Sequence, residues 1–289
     1  MQPDRDPGPW VKQRQAGRFG ALNAFVDREV ETRRLESAIL NGQSLMICGP
    51  SGIGKSAFVR RVLADLPKAS AARCLYVPGM KDLSDLLRQL VRQLCQMKNP
   101  SLRRELHSAG VTSVTRDSWL RAQSSSRLRG ALYRAVEGSD YRIFLDHVPP
   151  LTLGVRKVIK ELFWMRNTPV YLLPFGAMQE AFGSVSRSFY WGDRERLTLR
   201  PLPAIAAQEL LESCIEHFAL SELDLGDFRE EVLELSGHVP GAIVKMCALA
   251  SDPHYQYGTR VKIKLVHIDY LMSGHGLVFP GPNKDQFQP

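Results

Sequence analysis

The chain has 289 residues, 44% of them apolar, and a formal charge of +8, a composition that suits one large or two modest globular units with a buried core. No apolar run approaches the roughly 18 residues that cross a bilayer, and the first ten residues hold no signal-type apolar stretch. The five cysteines have neither disulfide-frame nor zinc-ligand spacing, so the expectation is a cytoplasmic protein with buried thiols and no membrane partner.

Residues 1–20 carry Pro, Gly and charge without periodicity and read as a flexible arm. Order is expected to begin near Phe25, with a helix from Val30 to Leu40 closed by Asn41-Gly42. Ser44–Cys48 reads as a short buried strand and Lys55–Leu66 as a helix, joined by a Gly-rich loop. A second strand is expected at Cys74–Val77, then a helix over Leu83–Met97 with leucines at 83, 86, 87, 90 and 94, and a further helix over Trp119–Val136. Ile143–Asp146 is a third strand, Val155–Met165 a helix, Val170–Leu173 a fourth strand and Arg196–Leu199 an edge strand. Strands alternating with helices imply an α/β fold with a mostly parallel five-stranded sheet covered by helices. After Pro201 the alternation stops, and four helices follow over Ala204–Phe218, Phe228–Ser236, Gly241–Ala250 and Lys262–Met272. The expected organisation is an arm (1–20), a core domain (21–200), a small helical lid domain (201–273) and an irregular tail (274–289).

Gly49-Pro50-Ser51-Gly52-Ile53-Gly54-Lys55-Ser56 satisfies the phosphate-loop pattern G-x-x-x-x-G-K-[ST] at each fixed position, after a strand and at the opening of a helix. Such a loop curls its backbone N–H groups toward phosphate oxygens, with the helix N-terminus adding to the attraction. Lys55 is expected on the β and γ phosphates, Ser56 on Mg2+, and Ala57 beside them. A magnesium shell also needs an acid at a neighbouring strand end, and Asp146, after Ile143-Phe144-Leu145, supplies it. The next residue, His147, stands where many such enzymes hold a Glu that polarises water. An imidazole can accept a proton but lacks the fixed charge of a carboxylate, so slow hydrolysis is expected. The alternative is that His147 only bonds a loop.

Together with Phe25-Val26-Asp27-Arg28-Glu29 and Gly237-His238-Val239-Pro240-Gly241, these motifs resemble the AAA+ and STAND ATPases across Phe25–Met272. The resemblance implies a P-loop ATPase core with a helical lid, binding ATP and Mg2+. It implies that Val26, Arg28 and Pro240 line the adenine site. It also puts an arginine finger among Arg194, Arg196 and Arg200, with Arg196 preferred over a reading of all three as a solvated edge. The sequence departs from the family where Leu172-Leu173-Pro174-Phe175 offers no polar sensor and where Gly241 replaces a lid arginine. Lys245, one turn further on, is either a substitute or a solvated lysine.

Charge is uneven. Between Lys81 and Arg142, twelve basic residues face six acidic ones. Arg103, Arg104, Arg127 and Arg129 are the candidates for non-specific contact with a DNA backbone, against the alternative of a solvated helical surface. Two roles follow from the resemblance. One is an ATP-controlled switch that assembles with itself, with other proteins or with DNA, as transposition-helper and origin-recognition ATPases do. The other is a STAND-type signalling or defence module working through protein partners. A small-molecule kinase is the third alternative.

Overall fold

The computed structural model describes residues 26–149, 152–165, 168–174 and 195–274. The expected arm, the tail beyond Gly274, Phe25, Phe175 and Arg194 lie outside them. The chain forms two compact units, one from Arg28 to Arg200 and one from Pro201 onward that also takes in residues 26–27.

In the first unit, α1 (Glu29–Leu40) leads to β1 (Leu45–Cys48), α2 (Lys55–Asp65), the short α3 (Lys68–Ala71) and β2 (Cys74–Val77). Then come α4 (Leu83–Gln96), α5 (Pro100–Ser108), α6 (Arg116–Ala122), α7 (Ser125–Val136), β3 (Arg142–Val148), α8 (Leu153–Trp164), β4 (Val170–Pro174) and β5 (Arg196–Thr198). The five strands form one sheet in the order β2-β3-β4-β1-β5, each neighbouring pair parallel. β1, β2 and β4 are buried at every position, as expected of strands covered on both faces. Met46, Leu75, Val77, Ile143, Leu145, Val170 and Leu172 pack with the apolar stripes of α4, α7 and α8. Alternation sends Phe144 and Tyr171 to the other face. Their rings stack at 4.2 Å, and Tyr171 donates to the Ala38 carbonyl of α1.

Both sheet edges are covered by side chains. Gln93 of α4 accepts from the Tyr76 N–H and donates to its carbonyl, and Arg34 of α1 donates to the Arg196 carbonyl. Each bond occupies backbone that would otherwise template another strand.

The single helix expected over Trp119–Val136 is corrected. Gln123 is extended, and Ser124 caps a new helix by accepting from the Arg127 N–H, so the segment is two helices. A further helix, α5, precedes them. Lys98 adopts a left-handed φ of 56°, and Asn99 then accepts from the N–H groups of Ser101 and Leu102, with Pro100 at the first turn. Asn-Pro is a helix-start signal that the apolar spacing did not reveal.

The second unit holds α9 (Ala204–His217), α10 (Gly226–Ser236), α11 (Pro240–Ala250) and α12 (Ile263–Gly274) around a core of its own. The Gly237-His238-Val239-Pro240 run is the punctuation between two helices: Gly237 caps α10 in the left-handed region, and Pro240 opens α11. A two-stranded hairpin, β6 (Gln256–Tyr257) and β7 (Arg260–Val261), was not expected from the sequence. Strands of two residues carry no readable period. No helix among the described residues is long and apolar enough to cross a membrane.

Candidate functional site

The phosphate loop leaves β1 at its C-terminal end, where a parallel sheet has its crevice. Gly49 has φ 145°, and a Cβ there would lie 2.9 Å from both the Leu199 carbonyl oxygen and Ile53 Cγ2, so the backbone approach requires glycine. Gly54, at φ 92°, is the N-cap of α2, and a Cβ on it would meet nothing within 4 Å. Lys55 Nζ donates to the carbonyls of Gly49 at 2.6 Å and Pro50 at 3.1 Å. Partial burial pulls its pKa below the usual lysine value, against the opposing effects of Cys48 and Asp146.

Asp146 lies on β3, two strands from the loop, and is 2% exposed. Burial alone would raise its pKa, yet hydrogen bonds from His147, Tyr76 and Ser56 outweigh that and hold it below the usual carboxylate range. The carboxylate is thus anionic at neutral pH, and Ser56 lines the same cleft. Ser51–Ala57, Arg60, Asp146, His147 and Pro174 line a cleft of about 290 Å³. Serine and aspartate oxygens side by side are hard donors of the kind Mg2+ accepts together with substrate phosphates. Among the described residues there is no group of three or more His, Cys, Asp and Glu that could hold a metal. The residues present therefore fit a nucleotide and its magnesium.

His147 has a left-handed φ of 48°, at a register shift in β3 between Leu145 and Val148. Left-handed backbone in a residue other than glycine is sparsely populated and marks sites held by their surroundings. Here the conformation turns the ring back so that Nδ1 lies 3.1 Å from the Pro78 carbonyl and 3.3 Å from Asp146 Oδ1. Both are acceptors, so Nδ1 carries the proton and Nε2 is the nitrogen able to take one. The hydrogen bond to Asp146 raises the His147 pKa, with burial opposing it.

Two residues of this site were missed from sequence. Tyr76, at the end of β2, donates its hydroxyl to Asp146 Oδ2, and burial pushes its pKa up. Nothing local marks it, because its partner is 70 residues away. Arg60 lines the cleft from α2; its position one helical turn beyond Ser56 was the available signal.

The remaining candidates lie elsewhere. The Arg28 guanidinium is 5% exposed and bonded to the Arg200 carbonyl at 2.6 Å and to Glu31 at 3.2 Å, which ties the start of α1 to the chain after β5. Arg196 pairs in register with Met46, three residues before Gly49. Alternation places its side chain on the sheet face opposite Asp146. Val26, Pro240 and Lys245 belong to the second unit. Val26 packs on the helical core, and Lys245 Nζ sits 5.7 Å from the centre of the Tyr270 ring.

Residues 24–173 match a family model described as AAA ATPase domain. No curated protein matches the chain. Among solved structures it is similar to a Walker-type ATPase of Pyrococcus abyssi, with a TM-score of 0.50 at 16% identity over 88% of this chain and 73% of that one. It is also similar to the ORC1 protein of Aeropyrum pernix in complex with DNA, with a TM-score of 0.52 at 18% identity over 86% of this chain and 66% of that one. For Cdc6p of Pyrobaculum aerophilum the TM-score is 0.55 at 12% identity, over 79% and 63%. Identities this low establish a shared fold and nothing more, and the chain spans less than two thirds of the length of the last two.

Proposed function

The chain belongs to the AAA ATPase domain family, and on that premise we propose that it is a nucleotide-controlled switch. It binds ATP with Mg2+ between the Gly49–Ser56 loop and Asp146, hydrolyses it slowly, and in the ATP-bound state assembles with further copies of itself or with other proteins and DNA. One observation carries this reading. The groups that bind phosphate and metal converge, with Lys55 in the loop and Ser56 lining one cleft with Asp146, while the groups that speed hydrolysis are sparse. β4 ends on Pro174 where a polar sensor is usual, and His147 replaces the carboxylate after Asp146. A slow hydrolase holds its ATP-bound form for longer, which suits a switch.

Each residue has a defined task in this reading. The loop N–H groups and Lys55 orient the triphosphate, and Ser56 and Asp146 offer oxygens to the ion. Tyr76 and His147 keep the Asp146 carboxylate ionised and fixed in direction. When bound, Mg2+ would draw charge from the β and γ oxygens. His147 Nε2 is the proton acceptor for an attacking water. Arg196, on the sheet face opposite Asp146, has no task at its own chain's loop, and a finger offered to a neighbouring copy is the role left to it.

Turnover tests the role of His147. The wild type is expected to hydrolyse ATP well below about 10 per second, the enzyme median, and His147→Glu to run several-fold faster with ATP affinity retained. If the variant is no faster, the absent sensor at Pro174 rather than His147 limits the chemistry.

Assembly tests the switch. Light scattering should show a larger species with ATP-Mg2+ than without nucleotide, growing again on addition of duplex DNA. A mass that stays monomeric in all three conditions overturns the assembling switch and favours the STAND-type module acting through protein partners. One observation favours that second reading over DNA contact. Arg127 faces Glu105 and the Trp119 ring, whereas Arg129 lies near Tyr133, so the four candidate arginines do not form one stripe.

A further inference from the structure

The excess positive charge of the segment between β2 and β3 has a definite location. Of its acids, Glu105 is paired with Arg127 and Arg134, Asp117 with Arg92, and Asp140 with Arg73. Asp82 caps α4, and Asp85 accepts from the Lys81 N–H and from Gln89. Those carboxylates are consumed by helix caps, by arginines of α4 and α7, and by Arg73 just before β2. Lys98, Arg103, Arg104 and Arg116 have no ion-pair partner among the described residues, and with His107 they line one cleft of about 810 Å³. Among the described residues no acidic side chain lines it.

The fold gathers them. The left-handed turn at Lys98 and the Asn99 cap set α5 at an angle to α4, so that α5 presents Arg103, Arg104 and His107 to one side. Residues 109–115 return the chain to Arg116 at the start of α6, on the far wall. The floor is apolar, made by Cys95, Leu106 and Val111. Asn99 is 4% exposed and holds the corner by donating to the Ala135 carbonyl. Arg116 Nε is shut off from solvent with no hydrogen-bond partner among the described residues, a buried donor whose cost an incoming acceptor would relieve.

Four unpaired cations around one concavity repel one another and are stabilised by a compact anion of several charges. Guanidinium groups match phosphate oxygens in fork geometry. The volume falls in the range of small-molecule sites, roughly 300–1,000 Å³, and is a pocket rather than a track along a duplex. We propose that this cleft is a second anion site, separate from the phosphate loop, which takes a ligand bearing two or more phosphate groups. The phosphates come either from a free oligophosphate or from a short single-stranded nucleic acid, and the apolar floor accommodates what the phosphates carry.

Calorimetry with inorganic tripolyphosphate as the probe tests the site on the full chain. Lys55→Ala should retain one tripolyphosphate site, because the cleft does not use the loop. Arg103→Glu with Arg104→Glu, placed in the Lys55→Ala background, should weaken that site at least tenfold, about 1.4 kcal/mol. Both arginines are exposed, so the fold should survive, as an unchanged thermal transition would show. Arg33→Glu with Arg61→Glu changes the net charge equally at exposed positions on α1 and α2, across the sheet from α4, and should leave the affinity within about twofold, since exposed charges farther than ~10 Å are screened at 0.1 M salt. An eight-nucleotide single strand distinguishes the sources. Binding tighter than tripolyphosphate, and lost with the same double substitution, assigns nucleic acid; weaker binding assigns a free oligophosphate. The proposal is overturned if Lys55→Ala binds no tripolyphosphate, or if the off-cleft pair weakens binding as much as the cleft pair does.

Discussion

Replacing Lys55 with Ala should lower ATP affinity at least tenfold, about 1.4 kcal/mol, measured by calorimetry with Mg2+ present. The ammonium is partly buried, and its partners are the carbonyls of Gly49 and Pro50, which bring dipoles but no net charge. A β or γ oxygen brings that charge to a site with little competing water, where attraction is stronger than in bulk solvent. Asp146→Asn should behave differently. It keeps the shape and an acceptor for Tyr76 but removes the anion, so binding with Mg2+ should weaken far more than binding in EDTA. Unchanged ATP affinity in Lys55→Ala would remove the loop from the nucleotide site. Equal losses with and without Mg2+ in Asp146→Asn would remove Asp146 from the metal shell.

Phe144→Ala should cost the first unit about 3–5 kcal/mol of stability. Phe144 is 0% exposed and stacks on Tyr171 at 4.2 Å across two central strands, so truncation loses the transfer energy of a ring and leaves a cavity that close packing cannot collapse. That is a large part of the 5–15 kcal/mol that separates folded from unfolded domains. Urea unfolding, followed through the transition of the first unit, measures it. Phe144→Leu fills more of the space and should recover a good part of the loss. A cost under about 1 kcal/mol for Phe144→Ala would show that the sheet relaxes around the site.

The alternation of apolar strands with amphipathic helices carried most of the fold. β2 was read with its observed bounds, and β1, β3, β4 and β5 to within two residues, because β1, β2 and β4 are buried at every position and β3 holds a run of four buried residues. The reading failed where a cap overrides apolar spacing. Ser124 and Asn99 satisfy helix N–H groups with their own oxygens, and no stripe of leucines reports that. The strand order β2-β3-β4-β1-β5 was also beyond a sequence reading, since β1 and β4 pair across 126 residues, the separation at which Ser44 bonds the Val170 N–H.

What the sequence by itself determined is the phosphate-loop pattern and an acid at the end of an apolar run. A phosphate cradle is built from consecutive backbone N–H groups, so eight residues between one strand and one helix specify it, and Asp146 is marked by the apolar run before it. Tertiary structure alone decided which groups act on that acid and which charges remain unpaired. Tyr76 reaches Asp146 across 70 residues, and the bend of β3 at His147 aims its ring at Asp146 and Pro78. Arg28, which stood among the adenine contacts, is bonded instead to the Arg200 carbonyl 172 residues away. The basic segment, uniform along the chain, divides in space. Glu105 takes Arg127 and Arg134, while Arg103 and Arg104 turn to a cleft without a carboxylate. Net charge is a sum over residues, but pairing depends on distance, and distance is set by the packing of α4, α5, α6 and α7.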